Sequence, residues 1–173
     1  SPVLEIVKSS NFNISIAGPT SCGKTTAMTV CASPWGCCEV SNVDSQISNW
    51  DTSNTYRERH RLFANNLPVF FDETKLAKGY EYEVPKTLYS AASGRSRGRG
   101  TVTSVAQMEV ARNITFITGE QPATSFSEDG GAYARTLEMW DSPFGVTSPE
   151  TGNLVRHVSS ALVSNYGHAG PVF

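Results

Sequence analysis

The sequence predicts an α/β domain with a central, mostly parallel sheet flanked by helices, and three stretches carry that expectation. Gly18-Pro19-Thr20-Ser21-Cys22-Gly23-Lys24-Thr25-Thr26 fits G-x-x-x-x-G-K-[ST] and lies between a β-rich apolar run, residues 12–17, and a short apolar helical run, residues 26–32. Leu67-Pro68-Val69-Phe70-Phe71 is continuous hydrophobe ending in Asp72-Glu73, the pattern of a strand buried on both faces in the middle of a parallel sheet. Asn113-Ile114-Thr115-Phe116-Ile117-Thr118-Gly119-Glu120 supplies a third core strand with a polar end.

Taken in order, residues 3–8 fit either one helical turn or a strand leading into the first β segment. The glycine loop then offers what an anion needs. Glycines let the backbone wrap phosphate with several N–H groups aimed at one spot, and the positive end of the next helix adds to them. Lys24 would reach the β and γ phosphates of ATP, and the Thr25 hydroxyl would ligate Mg²⁺; the bland alternative is a glycine turn that matches by chance. Ser33-Pro34-Trp35-Gly36 breaks the helix. Cys38-Glu39-Val40-Ser41-Asn42-Val43 alternates weakly and predicts a short strand. Asp51-Thr52-Ser53 offers N-cap residues to a polar outer helix over residues 54–65, with Tyr56, Leu62 and Phe63 as its apolar contacts.

Asp72 and Glu73 stand at the carboxyl end of their strand, where ligands of open α/β sheets bind. Asp72 can hold Mg²⁺ through water, and Glu73 can polarise the water that attacks a γ phosphate. A solvated strand end is the alternative. Residues 81–93 suit an amphipathic helix with Pro85 in its first turn. Gly94-Arg95-Ser96-Arg97-Gly98-Arg99-Gly100, followed by a β-branched run, predicts a hairpin or projecting loop tipped with positive charge. Three readings of Arg95, Arg97 and Arg99 stay open: a grip on a nucleic-acid backbone, a phosphate contact to bound nucleotide, or a solvated loop. Thr118 or Glu120 would stand beside Glu73, to sense the γ phosphate, to orient water, or simply to end a strand. Residues 125–133 read as a surface loop, residues 134–141 as a fourth strand with Arg135 at its start, and residues 153–166 as a closing helix stopped by Gly167.

Length and composition suit one folded domain: 173 residues, 39% hydrophobic and 17% charged. The net charge of -2 decides nothing about nucleic acid, because the clustering of basic residues matters more than their sum. No apolar run approaches the ~20 residues of a membrane span and no signal-peptide pattern opens the chain, so a cytoplasmic protein without a membrane partner is expected. Cys22, Cys31, Cys37 and Cys38 lack zinc-site spacing and a nearby histidine, which favours reduced thiols. Ser1-Pro2 and Gly170-Pro171-Val172-Phe173 read as the cut edges of an excised domain.

Five of these stretches together resemble a known family: GPTSCGKTT, the Trp50-Asp51-Thr52-Ser53-Asn54 entry to the second helix, LPVFFDE, the Gly-Arg loop, and ITFITGE followed by Gly131-Ala132-Tyr133-Ala134-Arg135. The family is the P-loop ATPase domain of phage and mobile-element primase–helicases, catalogued as a domain of unknown function and related to the minichromosome maintenance (MCM) branch of AAA+ helicases. The glycine loop and paired acids are shared by a very large ATPase class; the TGE strand end and the Gly-Arg loop are narrower. The resemblance implies a P-loop NTPase core of AAA+ type with a basic hairpin inserted before the sensor strand, using ATP and Mg²⁺. It makes Lys24, Thr25, Asp72 and Glu73 the nucleotide, magnesium and catalytic residues, and puts Thr118 at a sensor position often filled by Asn. Arg135 falls where MCM-like proteins carry an arginine that enters the neighbouring subunit's site, and Arg95 to Arg99 fall where a hairpin meets DNA in a central channel. A homo-oligomeric ring, a hexamer, acting on single-stranded or forked DNA is therefore implied, without a primase module.

Three functions from different classes follow. One is a motor translocating on or unwinding DNA during replication of a phage or mobile element. The second is an AAA+ protein-remodelling or loader-type switch whose arginine loop grips polypeptide. A small-molecule kinase ranks last, since Glu after the strand-end Asp is unusual there.

Overall fold

The computed structural model describes residues 2–77, 79–98, 104, 107–126 and 130–168. In chain order the elements are β1 (Phe12–Ala17), α1 (Lys24–Ala32), β2 (Ile47–Asn49), α2 (Asn54–Phe63), β3 (Val69–Asp72), α3 (Tyr80–Ser93), β4 (Ile114–Gly119), α4 (Gly130–Tyr133), β5 (Thr136–Trp140) and α5 (Pro149–Leu162), with 3₁₀ turns at Thr74–Leu76 and Ala123–Phe126. The strands form one sheet, in the order β2-β3-β4-β1-β5, and every neighbouring pair is parallel. Ala17 of β1 pairs with Gly119 and with Trp140, and Asn49 pairs with Asp72, so the carboxyl ends of all five strands share one rim.

Side chains alternate across a strand, and that alternation splits the core in two. Val69 and Phe71 join Trp50, Val84, Leu88 and Ile117 on the face covered by α3. Phe70 turns the other way, onto Met28 and Ala32 of α1, with Phe116 and Leu162 packed beside it. All four residues of β3 are buried, as the unbroken hydrophobic run predicts. At the rim where the strands begin, buried asparagines tie strands to helices through their side-chain amides. Asn11 donates to the Ala91 and Ala111 carbonyls, and Asn113 to those of Ala64 and Leu67.

Several expectations are corrected. The strand expected over 38–43 lies instead at Ile47–Asn49, because the intervening residues bond locally. Asp44 N–H donates to Asn42 Oδ1, Ser45 N–H to the Asn42 carbonyl, and Ile47 N–H to Ser45 Oγ, the turn chemistry of short polar side chains. Residues 3–8 take the helical-turn option, with Val7 N–H bonded to the Val3 carbonyl. Pro85 lies beyond the first turn of α3, which starts at Tyr80; it leaves the Glu81 carbonyl without an intrahelical donor. The closing helix starts earlier than expected, at Pro149, fixed by a capping box between Ser148 and Thr151. The stretch expected as surface loop over 125–133 contains the end of a 3₁₀ turn and the single turn α4, with residues 127–129 outside the described ones.

The largest reversal concerns α2. Its buried residues are Arg57, Glu58 and Arg61, 3, 6 and 4% exposed, whereas Phe63 is 92% exposed. The charged stripe finds partners on α3 and on the segment after it. Arg57 pairs with Glu83 at 3.0 Å, Arg61 donates to Ser90 Oγ at 2.6 Å, and Glu58 accepts the Arg97 N–H at 3.1 Å. Burial lowers the Arg61 guanidinium to about 10, against the attraction of Glu58. Arg61→Ala should therefore cost about 1–3 kcal/mol by leaving buried polar partners unmet, while Phe63→Ala should change stability by less than about 0.5 kcal/mol. Urea denaturation of the two variants checks this, and equal losses would contradict the inward-facing charged stripe.

Candidate functional site

The site is assembled where three strands end. β1 runs into the glycine loop, β4 is its neighbour, and β3 lies one strand further out. The loop turns on Ser21 and Gly23, with φ of 62° and 92°. A Cβ on Gly23 would meet the Phe144 ring at 2.8 Å, so both the backbone twist and the close approach require glycine here. Gly119 has a similar reason: a Cβ at the end of β4 would overlap the Thr74 hydroxyl.

No side chain caps α1. Its first residues, Lys24, Thr25 and Thr26, line a cleft of about 310 Å³ together with Thr20, Ser21 and Gly23 of the loop. Glu73, Glu120 and Val155 complete the lining. Lys24 is buried, and its ammonium donates to the Gly18 and Pro19 carbonyls at 2.9 and 2.7 Å, with Cys22 Sγ at 3.8 Å. The Thr25 hydroxyl stands 3.2 Å from each carboxylate oxygen of Asp72. Thr118 links the two acids: its hydroxyl donates to Asp72 Oδ1 and accepts the Glu73 N–H at 3.0 Å. Glu73 itself sits in the left-handed region at φ 60°, a strain of about 1–3 kcal/mol that a non-glycine residue bears only where its surroundings impose it.

Glu120 bridges the loop to the turn after β3. Its carboxylate accepts from the Lys75 ammonium and the Thr20 hydroxyl, and these bonds hold it below the usual carboxylate range. The chain beyond β5 adds contacts that the sequence did not signal. Asp141 N–H donates to the Ala17 carbonyl, Ser142 Oγ to the Cys22 carbonyl at 3.1 Å, and Phe144 presses on Gly23.

Other singled-out residues lie elsewhere. Arg135 precedes β5 at the opposite rim, exposed, with its guanidinium bonded to the Gly131 carbonyl and 5.7 Å from the Tyr89 ring centroid. Arg95 bridges to Val110 in an antiparallel pairing that continues with Ser96 N–H bonded to the Glu109 carbonyl. This pairing lies beside Asn11 at the rim where the strands begin, away from the glycine loop, and the hairpin or loop expected between its two sides falls largely outside the described residues. Arg95 and Arg97 are exposed there, and Arg99 lies outside the described residues.

A larger cleft, about 410 Å³, opens at the start of α2 among Trp50, Asn54, Arg57 and Glu83. Within it Glu83 accepts from both Arg57 and Asn54. The smaller cleft is lined by the uncapped helix start, Lys24, Glu73 and Glu120, with Asp72 bonded to its Thr25. Among the described residues no group of three or more His, Cys, Asp or Glu forms a metal cluster, the four cysteines are free, and no helix is long and apolar enough to cross a membrane.

The chain belongs to the DUF927 family, a domain of unknown function, whose model matches residues 1–110. No curated protein is significantly similar in sequence. Among solved structures the chain is similar to an active helicase, Cch of SCCmec type IV, with a TM-score of 0.69 at 21% identity. The match covers 98% of this chain and 30% of the helicase chain, so the present chain spans less than a third of that protein's length. At this identity the likeness speaks for a shared fold.

Thr118→Val keeps the shape of the β4 end and removes the hydroxyl that joins Asp72 to the Glu73 backbone. It should lower stability by about 1–3 kcal/mol, the cost of leaving buried groups unpaired. Chemical denaturation measures this, and an unchanged midpoint would mean that the bridge carries no weight.

Proposed function

We propose that this chain is a P-loop ATPase domain of AAA+ type whose ATP hydrolysis drives movement along, or unwinding of, DNA as one subunit of a ring. The observation that carries the reading is Thr25 at 3.2 Å from Asp72, beside a buried Lys24 at an uncapped helix start. A glycine loop arising by chance gives no reason for its Thr to meet an acid two strands away.

The donor set fits Mg²⁺. A hydroxyl and a carboxylate are hard oxygen ligands, and the lack of a larger acidic cluster among the described residues suits an ion held partly by substrate phosphates. Thr25 and Asp72 would hold it, and when bound it would neutralise charge on the terminal phosphates. Lys24 would exchange the Gly18 and Pro19 carbonyls for β and γ phosphate oxygens. The backbone N–H groups at Gly23 to Thr26 would cradle the β phosphate. Glu73, its backbone N–H fixed by Thr118, would accept the proton of the attacking water.

Two features support a shared, ring-type site. Arg135 lies too far round the fold to serve its own cleft, which suits an arginine offered to a neighbouring subunit. Arg95 and Arg97 emerge on the rim away from the cleft, which favours a nucleic-acid contact over a contact to the nucleotide of the same chain. Arg99 joins them by sequence. The similarity to an active helicase lends the same direction to the choice of polymer.

The test is the ATPase rate measured with and without single-stranded DNA across protein concentration; the rate should rise with both. Lys24→Ala should abolish nucleotide binding. Glu73→Gln should bind ATP while turning over at least about 10²-fold more slowly, and full turnover in that variant would move the base elsewhere. Arg97→Ala should weaken single-stranded DNA binding severalfold with ATP affinity intact. Unchanged DNA affinity, with turnover stimulated by polypeptide, would instead favour the protein-remodelling reading.

A further inference from the structure

Lys75 and Glu120 belong to neither the glycine-loop motif nor the paired acids, yet they join the two. Glu120, the residue after β4, divides its carboxylate: one oxygen accepts from Thr20 on the glycine loop, the other from the Lys75 ammonium. Lys75 lies two residues past Glu73, and its backbone N–H donates to Glu73 Oε1 at 3.4 Å. Thr20, Glu73 and Glu120 all line the cleft. One carboxylate thus ties the loop after β1 to the turn after β3.

The charges are arranged against that tie once a triphosphate is seated. A terminal phosphate held near the glycine loop and Glu73 brings at least one negative charge toward Glu120, which repels it, and toward Lys75, which attracts it. The Lys75 side chain is 50% exposed and that of Glu120 29%, so their pairing is screened by water and weak. The lysine stem has four rotatable carbons, and its ammonium is a point charge that suits phosphate as well as carboxylate. A phosphate oxygen therefore competes on favourable terms.

Resting on the ATPase reading above, we propose that Lys75 is a second phosphate-binding cation of this site, selective for the terminal phosphate, and that Glu120 is the positioning residue that holds it and yields it to a triphosphate. Lys24 serves all nucleotides; Lys75 separates triphosphate from diphosphate. Because Glu120 directly follows Gly119 of β4, the exchange also reports the terminal phosphate to the strand that carries Thr118.

The experiment is calorimetric titration of the full chain with a non-hydrolysable ATP analogue and with ADP, both with Mg²⁺. Lys75→Ala should weaken the analogue about tenfold, the size of one charge-assisted hydrogen bond, and leave ADP within about twofold. Lys75→Arg should restore most of the loss, which a mere folding defect would not. Glu120→Gln should tighten the analogue about threefold when Lys75 is present and clearly less in the Lys75→Ala background, where only the direct repulsion is relieved, the difference being the signature of coupling between the two. Equal loss for both nucleotides, no loss, or weakening by Glu120→Gln would overturn the proposal while leaving the ATPase reading intact, provided binding still depends on Lys24. If the unmodified chain binds neither nucleotide, or Lys24→Ala binds as well as the parent, the ATPase reading fails and this proposal goes with it.

Discussion

The structure depends on a relay of hydroxyls that crosses the sheet rim: Thr25 to Asp72, Asp72 to Thr118, and Thr118 to the Glu73 backbone. Strands in a sheet stand about 4.8 Å apart, so a loop on β1 and an acid on β3 are separated by about 10 Å with β4 between them. A side chain as short as aspartate cannot close that gap alone. Thr25 reaches from the start of α1 and meets Asp72 directly, while Thr118 rises from the intervening strand and holds Asp72 and the Glu73 backbone in place. The glycine at position 119 lets the 3₁₀ turn after Glu73 lie directly against the end of β4, which brings the second acid within reach of the same hydroxyl.

That arrangement is only as rigid as the layers beneath it. β3 is buried on both faces, with Phe71 packed against α3 and Phe70 against α1, and it cannot tilt without opening one of the two apolar clusters. A strand pinned this way fixes where Asp72 emerges. The strain at Glu73 is then tolerable, because the backbone on either side has nowhere else to go. Helix α2 is held differently, by buried guanidinium and carboxylate groups that reach α3 and the base of the 94–111 segment. Charged contacts are more directional than apolar ones, so this seam fixes the orientation of the arginine-bearing segment more sharply than hydrophobic packing would.

What could be read from the residues followed from how local each signal is. β3 is a nearly continuous apolar run, β1 and β4 are β-rich stretches alternating apolar and polar residues, and the glycine loop carries its geometry in its own composition, so these elements were legible. β2 was not, because three residues make no pattern and its place is set by pairing with β3. The inward face of α2 was misjudged since the partners that satisfy Arg57 and Arg61, Glu83 and Ser90, lie more than 20 residues away. The site shows the same division. Lys24, Thr25, Asp72 and Glu73 stood out by motif, whereas Ser142 and Phe144 reach the glycine loop, and Val155 the cleft, only because β5 returns the chain to β1. The tie from Thr20 to Glu120 spans 100 residues and has no local trace.

Helix α5 buries none of its residues fully, yet through Val155 it forms one wall of the cleft, and the segment leading into it presses Phe144 on Gly23. A helix without a fully buried residue therefore borders the glycine loop. Leu162, at the far end of α5, packs beside Phe70 and Phe116, so any shift of this helix moves the wall of the slot and one apolar cluster together, and the width of the cleft is coupled to the packing beneath β3.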